Sequence, residues 1–415
     1  MAPASAQSDS HSSADRRGPM SGVMVLDVTR VVAGPYCAMM FADLGATVIK
    51  VENPDDPDYT RTFPPMVDTA AGPASAFYAQ YNRNKRGVTL DLRQETARAA
   101  FLKLVARADI LVENFRPGVM EKLGLGYEVL KQVNPRLVYT AISGFGRTGP
   151  NASRPGYDNS GQAAGGLWSM NGYADRPPVR VGTIIGDLAA SLYGAIGTLA
   201  ALREAELTGL GQVVDISQQD SVLSLTENAV VRYTVANEVA GPLGNDHPFV
   251  RPYSQFACAD GYVFFGGYTD KFWSITCEMF GEPQVAADPR IDTMEKRFDP
   301  AVYEAVVRPL LDRWFAARTK AELEAMAGDR VPLSAIKTID EVIADPHIGA
   351  RGMIVDVPMG EVSVAMLGLP IKLSNLGIQP HAGAPTLGEH NQTVFGDMLG
   401  MAEADIAAMC ARKAE

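Results

Sequence analysis

With 415 residues, 47% of them hydrophobic, the chain has enough apolar material for a large core and at least one further module. Its formal charge of −11 argues against nucleic acid as a partner, because such binding needs net basic surface to replace counterions. No window reaches the unbroken apolar length of a membrane span, the first twenty residues lack a signal-peptide core, and Cys37, Cys258, Cys277 and Cys410 never form a C-x-x-C pair. The expectation is therefore a cytoplasmic protein without membrane, metal or disulfide framework.

Residues 1–20 read as a disordered tail. From Gly22 the pattern alternates strand and helix: VMVLDV (23–28) a strand, 33–46 a short helix, TVIKVE (47–52) a second strand. GVTLDL (87–92) is a strand, 95–108 an amphipathic helix, and DILVENF (109–115) and RLVYTAISGF (136–145) two more strands. This alternation predicts an α/β fold, a large Rossmann-like domain whose mainly parallel sheet carries helices on both faces. Ligands in such sheets collect at the carboxyl ends of the strands, here ENFRPG (113–118) and SGFGRTGP (143–150).

After QVVDIS (212–217) and a helix to about Asn237, a hairpin around Ala259-Asp260-Gly261 and helices near 270–280, 301–317 and 319–327 suggest a smaller α+β domain inserted in the middle. Strands near 353–357 and 362–366 and a final helix near 391–412 complete the chain. The expected division is 21–222 for the first part of the large domain, 223–334 for the small domain with its linkers, and 335–415 for the return.

Two local features carry chemistry. NRNKRG (82–87) holds three cations in four positions and reads either as a solvated turn or as a site for a polyanionic ligand. RVGTIIGDLAASLYGAIGTLAAL (180–202) holds a single acidic residue, Asp187, ahead of a buried helix predicted over 188–202. Asp at a first helical turn is a favoured N-cap, and a chemical role is the alternative. GFGRTG (144–149) matches G-x-G-x-x-G, but Pro150 and Pro155 fall where the helix should run and no acidic strand end follows, so a dinucleotide site is not expected.

The order VLDVTRVVAGPYCAMMFADLGATVIKVENP, NRNKRGVTLDL, ADILVENFRPG, PRLVYTAISGFGRTGP, GYDNSGQAAGG, GDLAASLYG and PTLGEH resembles the class III coenzyme A transferases, the group that includes formyl-CoA and carnitine CoA transferases. The resemblance runs from about Gly22 to the C-terminal segment. It implies a CoA transferase that moves CoA from an acyl-CoA thioester to a carboxylic acid through a covalent intermediate on Asp187, the Asp of the GD motif. A carboxylate suits that role because it can form an acyl anhydride and then its own thioester. The resemblance also implies CoA contacts at Val31, Val32, Leu90, Asp91, Arg93, Asn114, Phe115, Arg116, Lys122 and Tyr157, no metal, and an interlocked homodimer.

Departures from the family shape the rest. The glycine run that closes over the intermediate in formyl-CoA transferase is missing, with only Gly266-Gly267 close to it, and Asn53 stands where many members carry Arg or Pro. NDHPFVRPYSQF (245–256) instead resembles members acting on short dicarboxylates, with His247, Arg251 and Tyr253 able to meet a distal carboxylate. The rival readings are an α-methylacyl-CoA racemase and a non-catalytic CoA-binding protein. The racemase uses a His in a G-H-D motif where this chain has Gly156-Tyr157-Asp158, and Tyr is a poorer proton shuttle near neutrality.

Overall fold

The computed structural model describes residues 18–376 and 380–410. Most of the tail expected over 1–20 lies outside them, although Met20 is buried in an apolar cluster. The described residues form two compact units: one takes in the chain as far as Leu167, Arg180–Ala236 and everything from Pro346 on, the other Trp168–Val179 and Asn237–Asp345. The unit boundaries fall later than the expected 222/223 and 334/335, because the helix Ala229–Ala236 stays with the first unit and the second runs on to Asp345.

In the first unit six strands, β1 (Met24–Asp27), β2 (Thr47–Glu52), β3 (Arg86–Thr89), β4 (Ile110–Glu113), β5 (Val138–Ser143) and β6 (Val213–Ser217), form one sheet in the order β3-β2-β1-β4-β5-β6. Every neighbouring pair is parallel. Alternate residues feed two cores. Leu26, Ile49 and Leu111 pack with the helix Glu95–Val105 and with Phe395 and Ile406 of the returning chain. Val25, Val48 and Ile110 pack with α1 (Ala33–Asp43) and with α3 (Ile185–Thr208). This strand order reverses direction between β1 and β4, and a doubly wound sheet opens its ligand crevice at that switch point.

The helix predicted over 188–202 extends three residues earlier and six later. Its small residues let it press on the sheet: a side chain at Gly194 would stand 3.1 Å from Ile142 and 3.3 Å from Cys37. By length and composition α3 is apolar enough to cross a membrane, which the sequence reading had excluded. Half of that apolar window is buried inside the unit, as in a core helix.

The basic run 82–87 is neither a solvated turn nor a ligand site at its centre. Arg83 and Lys85 are buried, the first on Asp43 (2.7 Å), the second on Asp27 (2.8 Å), and Lys50 also lies within 3.9 Å of Asp27 and 3.8 Å of Asp58. Asn84 adds a hydrogen bond to Asp43. These cations join β1, β2, α1 and the approach to β3. The final helix is also divided, into a π-helical stretch Gln392–Met398 and an α-helix Glu403–Cys410 on either side of Gly400, whose φ of +68° breaks the helix; residues 411 and 412 of the expected segment lie outside the described residues.

The second unit holds the expected hairpin, Ser254–Cys258 against Gly261–Phe265, with Leu333–Ala335 as third antiparallel strand. Phe256, Phe265, Trp273, Trp314 and Phe315 build its core with the helices Asp270–Met279 and Arg308–Ala316.

Candidate active site

The switch point is a cleft of about 190 Å³ lined from the ends of β1, β4 and β5 and from the loop before α2 (Asp158–Ala164). Asn114 ties its two walls together. Its side chain accepts from the Arg30 N–H (2.9 Å) and donates to the Arg30 carbonyl (2.7 Å), so the loop after β1 is clamped to the end of β4. Val31 is held at φ +72°, an unfavourable conformation for a β-branched residue, with its N–H bonded to Asp58 (3.0 Å). This backbone turn delivers Val32 and Ala33, the start of α1, to the cleft.

Asp187 lines the cleft and is 8% exposed. It is the third residue of α3 and does not cap it. Ile184 occupies the cap position without a side-chain bond, and the first-turn amides are taken by Asp158 from α2: Gly186 N–H at 2.7 Å and Asp187 N–H at 3.4 Å. Gly186 permits this approach, since a Cβ there would meet the Asp158 carbonyl at 2.9 Å. Asp158 is itself oriented by Gln162 (2.8 Å), and Ser191 fastens α3 to the Ala33 carbonyl of α1 (2.7 Å). The Asp187 carboxylate is therefore released from capping duty and turned to the cleft, where it accepts a hydrogen bond from Gln218. Burial, with the Asp158 carboxylate adding like charge, pushes its carboxyl up to about 7 against the opposing effect of the Gln218 donor.

A second cleft, of about 280 Å³, opens beyond the ends of β2 and β3 and shares Arg30 and Phe115 with the first. Leu90, Leu92, Val119 and Leu123 give it apolar walls. Its carboxylates are already paired: Asp56 with Arg30 (2.9 Å), Glu52 with Arg61 (2.6 Å) and Asp91 with Arg93 (2.7 Å). An anionic ligand entering there meets little uncompensated negative charge.

Among the residues expected to meet CoA, Val31, Val32, Asn114, Phe115, Arg116 and Tyr157 line the first cleft, and Leu90, Asp91, Arg93 and again Phe115 the second. Lys122 is exposed at the end of the helix Val119–Lys122 and lines neither. His247, Arg251 and Tyr253 belong to the second unit. There the His247 ring accepts the N–H groups of Phe249 and Val250 (3.2 Å each) and meets the Tyr253 ring edge-on at 5.3 Å, which orders this loop. The GFGRTG segment opens no helix: Gly144 packs against Gly156, where a Cβ would lie 2.7 Å from the opposing Cα, and the two glycines bring the loop's ends together at the cleft wall. Sequence reasoning missed Arg30, Ser143 and Gln218, which also line the cleft. Gln218 directly follows a sheet strand, at the end where ligands gather, and that position was the available signal.

The switch-point cleft, its buried carboxylate and the motif order converge on one family. The chain belongs to CoA-transferase family III, whose model matches residues 20–391. Its activity is the transfer of CoA from an acyl-CoA thioester to a carboxylic acid. It is 40% identical over 387 residues, 92% of this chain and 96% of the other, to a succinyl-CoA:mesaconate CoA-transferase of Haloarcula hispanica. It is 35% identical over 400 residues, 95% and 98% of the two chains, to a succinyl-CoA–D-citramalate CoA-transferase of Chloroflexus aurantiacus. Among solved structures, a CAIB/BAIF family protein from Brucella suis matches with a TM-score of 0.82 at 34% identity, over 92% of this chain and 100% of that one.

Proposed function

We propose that this transferase uses Asp187 as a covalent nucleophile and moves CoA from succinyl-CoA, or a close analogue, to a short dicarboxylic acid. The observation that carries the reading is the Asp187 carboxylate itself, buried at the switch point with its helix end capped by another residue. An Asp187 oxygen attacks the thioester carbonyl; the new C–O bond forms as the C–S bond breaks and CoA leaves as thiolate. The thiolate then adds to Cγ of Asp187 and expels the donor acid, leaving an aspartyl-CoA thioester. The acceptor carboxylate repeats the sequence in reverse order and regenerates the Asp187 carboxylate. Splitting the transfer this way replaces one difficult exchange by steps with good leaving groups.

The nucleotide end of CoA fits the second cleft, between the apolar walls and Arg93, with the pantetheine arm passing Phe115 toward Asp187. Lys122, one residue from the lining Leu123, supplies a further cation for the phosphates. If so, Arg93→Ala raises KM for the CoA thioester by about tenfold and leaves the acceptor KM near parent. Equal KM values for both proteins would move the phosphates elsewhere.

For the acceptor, the named substrates of the two relatives are dicarboxylic or hydroxydicarboxylic acids, which supports a short dicarboxylate here. Mass spectrometry of products from succinyl-CoA and a panel of mono- and dicarboxylic acids tests this: CoA should appear on dicarboxylates of four or five carbons, and exclusive transfer to monocarboxylates would reject it. Since the nucleophile must be ionised, turnover should also fall about tenfold per pH unit below a midpoint near 7. A rate flat from pH 8 to about 5 would contradict the role given to Asp187.

The reading includes a cytoplasmic, interlocked homodimer with the smaller unit as inserted domain. Support comes from Leu192, Ile196, Leu199 and Leu207 of α3 and Val230, Val231 and Val235 of the helix Ala229–Ala236, all exposed in the single chain. A second copy covering this apolar surface is the association we propose.

A further inference from the structure

Gln218 is the first residue of the short helix Gln218–Leu223, fixed by Ser217, whose hydroxyl accepts the Asp220 N–H at 3.1 Å. The residue is also buried and closely packed at its Cβ. Gln218 is 5% exposed, and Gly161 of α2 lies so close that a Cβ there would come within 2.9 Å of the Gln218 Cβ. Its Nε2 donates to Oδ1 of Asp187, the one side-chain hydrogen bond this carboxylate accepts among the described residues. Its Oε1 is buried without a hydrogen-bond partner. A buried amide oxygen left unbonded is a standing cost, so the side chain is oriented for its N–H alone.

We infer that Gln218 is a further catalytic residue, the oxyanion donor for attack at Cγ of Asp187. The inference rests on Asp187 being the nucleophile. When Oδ2 has carried out the attack on the thioester, Oδ1 is the carbonyl oxygen of the resulting anhydride. As the CoA thiolate adds to Cγ, the S–Cγ bond forms and the carbonyl π pair moves onto Oδ1, where the Gln218 N–H already points. The pair then returns, the Cγ–Oδ2 bond breaks, and the donor acid leaves with Oδ2. The same donor serves the reverse attack by the acceptor carboxylate on the aspartyl thioester. A donor fixed in a buried site before charge develops is the arrangement that lowers such barriers.

The test compares the parent with Gln218→Met, which keeps the length of the side chain and removes the donor. Turnover should fall about 100- to 1,000-fold, the loss typical of one oxyanion donor, with the KM for the CoA thioester and the melting temperature near parent. The acid limb of the rate profile should also move to higher pH, because burial and the Asp158 carboxylate still act on Asp187 and the stabilising donor has gone, while the nearby Tyr81 phenol stays neutral throughout this range. Gln218→Glu, whose carboxyl O–H can donate to the same oxygen at acid pH, should regain rate over Gln218→Met as pH falls. Hydroxylamine labelling of the parent, run alongside, separates the role of Gln218 from that of Asp187. A parent labelled at Asp187 together with unchanged turnover and an unmoved acid limb in Gln218→Met overturns the role of Gln218 alone. A parent that turns over without label at Asp187 overturns the nucleophile, and this inference with it.

Discussion

Asp187→Asn is expected to lower CoA transfer by roughly three orders of magnitude or more while the melting temperature and CoA binding stay near parent. The amide has no lone-pair oxygen anion to attack a thioester and cannot become an anhydride. The usual ambiguity of a carboxylate at a helix start does not arise here, because Asp158 bonds the first-turn amides of α3 and Asp187 bonds none of them. Loss of a cap, typically about 1 kcal/mol, therefore cannot account for a lost activity. Transfer in Asp187→Asn within tenfold of parent would remove the assignment.

The second large effect is on stability. Asp27 is fully buried between Lys85 (2.8 Å) and Lys50 (3.9 Å), and Thr29 donates to it as well. Burial pushes its carboxyl up, but the two ammonium groups more than offset this and hold it at about 2. Asp27→Asn leaves two buried cations short of a counter-charge, and breaking a buried pair in this way costs about 3–5 kcal/mol. Urea unfolding of parent and variant measures it; a loss below about 1 kcal/mol would mean the cations find other partners or lose their protons. The sign with pH follows from the depressed carboxyl. Its contribution is fully present above the ordinary value of 3.8 and is lost as pH falls through about 2, so the parent, and not Asp27→Asn, should lose this increment of stability in acid.

How far the sequence could reveal this depends on the range of the interactions. Strand and helix alternation is local, written in every apolar run from Val23 to Ser217, and with it came the parallel sheet and the strand ends where Asn114 and Gly144 stand. Charge pairing is not local. NRNKRG reads alike whether it faces water or the core, and only the fold brings Asp43 and Asp27, 40 and 58 residues earlier in sequence, to Arg83 and Lys85. The reading of Asp187 as a cap failed for the same reason. Helix-start statistics count the residue at the turn, whereas here the cap comes from a residue 29 positions away on another helix. The GD motif nevertheless singled out a carboxylate that lines the cleft, while the partner that holds it, Gln218, comes from 31 positions further on and had no motif of its own.

Covalent catalysis by Asp187 is tested most directly by mass spectrometry of the enzyme after incubation with donor thioester alone, without acceptor, followed by hydroxylamine. Attack on an aspartyl anhydride or thioester leaves a stable hydroxamate on the side chain that carried it. The modified peptide should be the one containing Asp187, labelling should require the donor, and Asp187→Asn should take up none. A hydroxamate on another carboxylate such as Asp158, or an unlabelled enzyme that still transfers CoA, would contradict this role of Asp187.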